Sequence, residues 1–389
     1  MNAINPLVAG LALPPIPAVQ AWGRSYNGAM GPLIDLSQAV PGYPPHPDLL
    51  AWLAEAAGSV SLAGYGEIEG EPRLRETYAA HLSALYGVGL AAGNVHVTSG
   101  CNQAFVTAAM VAAGPGDAVL LTNPCYFNHE TTLAMLGIQP RYVECHAENG
   151  FLPDPADIDA KIDGRMRAVA LVSPNNPTGA VYPPALLAEI MALCRRRGVW
   201  LILDETYRDF LPAGAGAPQG LFGETGWEET LIGLYSFSKS FCIPGHRLGA
   251  VTAGPRVVAA IAAIMDNLQI CAPRPPQIAV ARGLPALADW REGNRREIER
   301  RAEAMRTVMA EVDGWRIDAL GAYFAFLRHP FEGVDATRVA EALARQAGIV
   351  AIPGGFFGAG REDYLRIAFA NVDTDGIREF ARRLRGFAP

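Results

Sequence analysis

The sequence predicts an α/β protein whose sheet is covered on both faces, and three observations carry that prediction. Short, almost wholly apolar runs at Ala118–Leu121, Val169–Val172, Val199–Leu203, Leu231–Tyr235 and Ala250–Ala253 lack polar alternation, as strands buried on both faces do. Helix-favouring stretches separate these runs. At 389 residues, with 50% hydrophobic against 18% charged, the chain exceeds one small core, so a large interior shared by two domains is expected.

Taken in order, residues 1–47 carry Pro14, Pro15, Pro17, Pro41, Pro44, Pro45 and Pro47. That composition suits an irregular arm laid over another surface and contributing to a small domain. Alternation of helix and strand begins near Asp48 and defines a large domain over 48–285. Beyond Pro276, the segment Leu287–Val312 is charged and helix-favouring, with Arg295, Glu297, Glu299 and Arg300, and leads into a smaller C-terminal domain over 286–389. There is neither an internal repeat nor a low-complexity tract.

Charge and cysteine usage exclude several functions. A net charge of -7 and a pI near 5.6 do not suit a nucleic-acid binder, which needs a basic surface to displace counterions. The 6 cysteines (Cys101, Cys125, Cys145, Cys194, Cys242, Cys271) form no CxxC pair and no metal-type spacing with the 7 histidines, so no metal site is expected and the thiols read as reduced. Val257–Met265 is far shorter than the roughly 20 apolar residues of a membrane span. A cytoplasmic protein that engages neither membrane nor nucleic acid is the expectation.

Candidate chemistry sits at the ends of the predicted strands. Ser236-Phe237-Ser238-Lys239 follows Leu231–Tyr235, where partial burial lowers a lysine's pKa and favours the neutral amine that attacks an aldehyde, while the hydroxyls suit a phosphate. Alone, such a lysine is as a rule a solvated loop residue. Asp204-Glu205-Thr206-Tyr207 ends the run Trp200–Leu203; its aspartate suits a protonated ring nitrogen, or equally a helix N-cap. Ser173-Pro174-Asn175-Asn176-Pro177-Thr178-Gly179 follows Val169–Val172 and reads as a rigid turn able to aim an Asn amide. Thr98-Ser99-Gly100-Cys101-Asn102 lies between Val95–Val97 and the helical stretch Phe105–Ala113, which places free N–H groups at a helix start, a common anion seat. In open α/β sheets these strand ends share one crevice.

In this order and spacing, from about Tyr65 to Arg366, the motifs resemble those of fold-type-I pyridoxal-phosphate enzymes, specifically the class I/II aminotransferases that include aspartate aminotransferase. The resemblance implies a mostly parallel seven-stranded sheet flanked by helices plus a smaller α/β domain, with pyridoxal 5'-phosphate as cofactor. It casts Lys239 as the residue that forms a Schiff base with the cofactor and shuttles the proton, Asp204 as partner of the pyridine nitrogen, and Tyr207 and Asn176 as donors to the ring oxygen. Arg247 with Ser236 and Ser238, and Gly100, Cys101 and Asn102, would hold the phosphate; Tyr126 would stack on the ring.

Arg366, in Tyr-Leu-Arg-Ile-Ala, resembles the arginine that clamps the substrate carboxylate, and Asn176 and Val40 would adjoin the substrate. Tyr65 resembles a tyrosine that reaches the phosphate of a neighbouring subunit, implying a homodimer with shared sites. The implied reaction moves an amino group between an L-amino acid and a 2-oxo acid. Gln269 stands where dicarboxylate-specific members carry an arginine, and nearby Arg274 either substitutes for it or belongs to an interface. The scaffold also hosts eliminases, synthases and cyclases, and the Pro-Gly before Arg247 is shared with cyclopropane-forming synthases. A cofactor-sensing regulator module is the remaining alternative; such regulators place a basic DNA-binding domain where this chain has the Pro-rich arm.

Overall fold

All five apolar runs are strands in the computed structural model, which describes residues 2–389. In chain order the strands are β1 (Ile34–Asp35), β2 (Val95–Thr98), β3 (Ala118–Asn123), β4 (Gln139–Glu144), β5 (Met166–Val172), β6 (Trp200–Asp204) and β7 (Leu231–Ser236). They continue with β8 (Gly249–Ala253), β9 (Arg316–Gly321), β10 (Phe324–Arg328), β11 (Ile349–Val350), β12 (Ile352–Pro353) and β13 (Tyr364–Ile367). β2 to β8 make a 7-stranded sheet in the spatial order β2-β8-β7-β6-β5-β3-β4. β3 pairs in parallel with β4 and β5, as do β5 with β6 and β6 with β7, whereas β8 is antiparallel to both β7 and β2.

The missing polar alternation has a direct cause. Leu201, Leu203 and Leu120 pack into the core on one face of the sheet, together with Leu53, Tyr78 and Leu82. Ile202, Leu121 and Leu234 pack into the core on the other face with Phe105, Ile261 and Met265. Both sets of alternating positions are therefore apolar. β4 escaped the sequence reading because it is an edge strand in which only Val143 is buried, and its remaining residues are polar or half-exposed.

A second sheet of 4 strands, in the order β12-β13-β10-β9, is wholly antiparallel and has its own core of Phe324, Leu327, Leu365, Ile377 and Phe380. The helix Ala288–Met309 supplies Ile298 and Met305 to this core and meets the preceding helix, Arg274–Ala286, at Leu287. β1 pairs in parallel with β11, so the N-terminal segment joins the C-terminal part of the chain.

The arm is more ordered than its prolines suggest. Helices Pro6–Ala9 and Pro15–Arg24 stand where irregular chain was expected, because Pro6 and Pro15 occupy the first helical turn, where a missing N–H costs nothing and a fixed φ favours the helix. Val19 is fully buried, and Gly23 lies so close to Val350 that an added Cβ would sit 2.7 Å from its methyl. Among the described residues, no helix is long and apolar enough to cross a membrane.

Candidate active site

β5, β6 and β7 are adjacent and parallel, so their carboxyl ends at Val172, Asp204 and Ser236 open side by side. The helix Cys101–Ala112 starts beside them, because Gly249 on β8 lacks the Cβ that would come within 2.7 Å of the Gly100 carbonyl carbon. Together these ends enclose a cavity of about 380 Å³. Its walls include Cys101, Asn102, Tyr126, Asn176, Asp204, Tyr207, Ser236, Ser238, Lys239 and Arg247, which in sequence spread over more than a third of the chain. Val172, Thr206 and Pro244 also line it and were not foreseen.

At one end lie donors that meet no carboxylate among the described residues. The helix Cys101–Ala112 has no side-chain cap, since its N-cap is Gly100 at φ +84. Ser238 Oγ is buried without a partner. Arg247, itself in the left-handed region at φ +50, is held by the carbonyl oxygens of Pro244 (2.8 Å) and Ser99 (3.5 Å) and meets no carboxylate among the described residues. A Cβ on Gly100 would stand 2.2 Å from Arg247 Nη2, so only glycine admits the guanidinium beside the helix start. Uncapped N–H groups, free hydroxyls and an unpaired guanidinium are the donor set a phosphate dianion requires.

At the other end Asp204 is buried. Burial alone would raise its pKa, yet the value is lowered, because His129 Nε2 stands 3.5 Å from Oδ2 and the Thr206 amide donates to Oδ1 at 2.9 Å. His129 is a functional residue the sequence reading missed. It stacks on Phe105 with ring centroids 3.7 Å apart, and its signal was its place three residues past Tyr126, one helical turn on. Cys101 donates its thiol to Asp204 Oδ2 at 3.3 Å, and burial beside that carboxylate keeps the thiol protonated, so it is no nucleophile.

Lys239 is half-buried between these ends. Its pKa is lowered to about 8, first by desolvation and then by the positive charges of Arg366 and Arg247. Its amine donates to the carbonyl of Ala39 in the segment that follows β1. Ala39 therefore touches the lysine, and its neighbour Val40, expected beside the substrate, donates its amide to Asn371 Oδ1 at 3.2 Å and anchors the segment. Tyr126 and Tyr207 are pushed up by burial, Tyr126 to about 12, so both remain neutral donors.

Arg366 does not line the cavity wall but stands behind Asn176, whose Oδ1 accepts from Nη1 at 3.1 Å. It is buried, its other donor bond goes to the Ser37 carbonyl, and its Nε has no partner. The guanidinium lies 4.9 Å and 5.1 Å from the ring centroids of Phe324 and Phe357. Desolvation lowers its pKa to about 10. A buried cation with only neutral partners is a seat for a carboxylate.

Tyr65 is not brought into the cavity and is 79% exposed. The loop that bears it is clamped by Arg274, which ion-pairs with Glu71 and donates to the carbonyls of Ser61 and Gly64 at 3.1 Å. Gln269 is likewise engaged, its Oε1 accepting from Ser99 (2.8 Å) and Gln103 (2.7 Å). The described residues contain no cluster of metal ligands.

The model of the family described as aminotransferase class I and II matches residues 32–384, nearly the entire chain. The chain belongs to this family. This aminotransferase is 30% identical to an arginine–pyruvate transaminase of Pseudomonas aeruginosa, over 87% of the chain and 86% of that protein. It is 29% identical to a valine–pyruvate aminotransferase of Mycobacterium tuberculosis, over 97% of both. Its fold matches the aspartate aminotransferase of Thermus thermophilus with maleate at a TM-score of 0.89, 24% identity and 98% and 99% coverage of the two chains. The 7-stranded sheet thus belongs to fold type I, and the protein is an enzyme of the transaminase type.

Proposed function

We propose that this aminotransferase carries pyridoxal 5'-phosphate on Lys239 and moves amino groups between L-amino acids and 2-oxo acids. The observation that supports this most directly is a lysine of lowered pKa, free of any carboxylate, set between an anion seat and a buried aspartate. Bound there, the cofactor supplies an electron-withdrawing ring. Asp204, kept ionised by His129 and Thr206, holds the ring nitrogen in its protonated form. Gly100, Cys101, Asn102, Ser236, Ser238 and Arg247 hold the phosphate; Tyr207 and Asn176 donate to the ring oxygen; Tyr126 covers the ring. Arg366 would fix the substrate carboxylate, and the Lys239 amine would serve as the base that takes up and gives back the α-proton.

The substrate side chain is read as uncharged. Neither Gln269 nor Arg274 is free to meet a second carboxylate, since one is bound to Ser99 and Gln103 and the other to Glu71. We read the working unit as a homodimer, supported by the exposure of Arg247 and Tyr65, with residues 48–285 as the cofactor domain and 286–389 with the arm as the small domain.

Half-reaction spectra with single amino acids test the reading: conversion of the bound cofactor to its amine form supports transamination, and turnover without that change refutes it. In Lys239→Ala, borohydride should no longer fix cofactor to the chain, and label found on another lysine would overturn the assignment.

A further inference from the structure

Behind the cavity, on the far side of β6 and β7, lies a buried charged cluster that the reaction does not use. Arg208 and Glu205 are 4% and 2% exposed and pair at 3.6 Å. Arg208 also donates to the hydroxyls of Tyr78 (2.9 Å) and Tyr86 (3.3 Å), and lies 4.0 Å above the ring of Tyr235. Tyr86 donates to Glu205 at 2.8 Å. The Tyr235 hydroxyl lies 2.6 Å from Asp209 and 2.8 Å from Ser240, and Arg291 lies 3.7 Å from Asp209.

The members of this cluster alternate with the cavity residues along the chain. Glu205 follows Asp204, Arg208 follows Tyr207, Tyr235 precedes Ser236, and Ser240 follows Lys239. Asp204 with Glu205 and Tyr235 with Ser236 stand at strand ends, where successive residues face opposite ways. Arg208 and Ser240 lie in the short helices Arg208–Phe210 and Phe237–Ser240 that follow, so each cavity side chain has a cluster side chain as its chain neighbour. The backbone is tied as well, by the Glu205 amide to the Leu234 carbonyl at 2.9 Å. A buried ion pair contributes little net stability compared with apolar packing, and its best-attested use is to specify one arrangement.

We propose that Arg208 is a positioning residue that sets the spacing of Asp204, Tyr207, Ser236 and Lys239 around the cofactor by gathering Glu205 and Tyr235, and through Tyr235 Ser240, on the opposite face. The proposal rests on the assignment of Lys239 and its cofactor. It differs from a packing role in what it predicts: the cluster makes no contact with Arg366, so loosening it changes the cofactor's environment and the chemical step while carboxylate binding is preserved.

Two mild variants test this in the cofactor-loaded enzyme. Tyr235→Phe keeps the ring under Arg208 and deletes only the bonds to Asp209 and Ser240; Arg208→Lys keeps the charge and loses the fork. For both, the pH midpoint of the cofactor's visible band should move, kcat should fall by about 10- to 100-fold, and KM should stay within about twofold of wild type. Arg208→Met should show the same changes more strongly, and partial recovery in Arg208→Lys supports the proposal. An unmoved pH midpoint with normal kcat in Tyr235→Phe and Arg208→Lys, accompanied only by a lower Tm, overturns it. Wild-type enzyme that takes up no cofactor overturns the Lys239 assignment and this proposal together, whereas a normal wild type with unmoved variants removes only the role of Arg208.

Discussion

Replacing Arg366 by methionine should make the enzyme less active and slightly more stable. The guanidinium has no hydrogen-bonded anionic partner, and burial, only partly offset by Tyr207, Tyr126 and Asp35, brings its pKa from 12.5 down to about 10, a penalty of about 3 kcal/mol on the charged form. A depressed base means that the folded state disfavours the charge relative to the unfolded chain, so removing it recovers that penalty. Against this, Asn176 Oδ1 and the Ser37 carbonyl each lose a donor, at about 1 kcal/mol apiece. The net is a stabilisation of about 1 kcal/mol, or a rise of roughly 1–2 °C in Tm for the cofactor-free protein. Catalysis moves the other way: two charge-assisted bonds to a substrate carboxylate are lost, about 3–5 kcal/mol together, so kcat/KM should drop by about 10²- to 10⁴-fold. The assay compares an amino acid with the corresponding amine lacking the carboxylate, alongside calorimetry. An equal loss on both substrates, or a loss below about tenfold on the amino acid, would refute the carboxylate role; a clearly lower Tm would refute the charge argument.

Three other outcomes follow from the site. Gly100→Ala places a methyl 2.2 Å from Arg247 Nη2 at a backbone φ of +84, so the affinity for pyridoxal phosphate should weaken by about tenfold or more in a fluorescence titration, and unchanged affinity would count against the anion seat. Because the folded pKa of Lys239, about 8, lies below its unfolded value of 10.5, the burial penalty is fully present below pH 8 and is relieved as pH rises toward 10.5. Cofactor-free protein should therefore gain stability across that window relative to Lys239→Ala, and covalent capture of the cofactor should accelerate with a midpoint near pH 8; matching pH profiles for the two proteins would contradict this. Arg274→Ala frees the loop around Tyr65 but removes nothing that reads a side chain, so the ratio of kcat/KM for glutamate and alanine should stay constant, and a selective loss for glutamate would reassign Arg274 to specificity.

Much of the fold was legible because strands buried on both faces leave an uninterrupted apolar run, and because each chemical motif directly follows one. The motifs at Thr98, Ser173, Asp204 and Ser236 name their residues by chemistry, and ten of the expected side chains meet in one cavity. What stayed hidden depends on distant packing. His129 reaches Asp204 with its ring stacked on Phe105, and its place one turn past Tyr126 shows which way it faces but not that distant carboxylate. The pairing of Arg208 with Glu205 is a short sequence spacing, but its three tyrosines come from other elements. The prolines of the arm misled in the other direction, since a proline that breaks a helix interior begins a helix when it stands in the first turn.

The parallel pairing of β1 with β11 also governs the order in which a site can be completed. Asn371 holds the Asp35 carbonyl at 3.0 Å across 336 positions of sequence, and the same early segment delivers Ser37 and Ala39 to Arg366 and Lys239. During synthesis those residues leave the ribosome without their partners, and they must wait until Asn371, 336 positions further on, has been made. Contacts of such long range close slowly. The side chains around Lys239 thus come from the middle of the chain, whereas Asp35 and Ser37 meet Asn371 and Arg366 last, so a product truncated before Tyr364 keeps the lysine and loses Arg366.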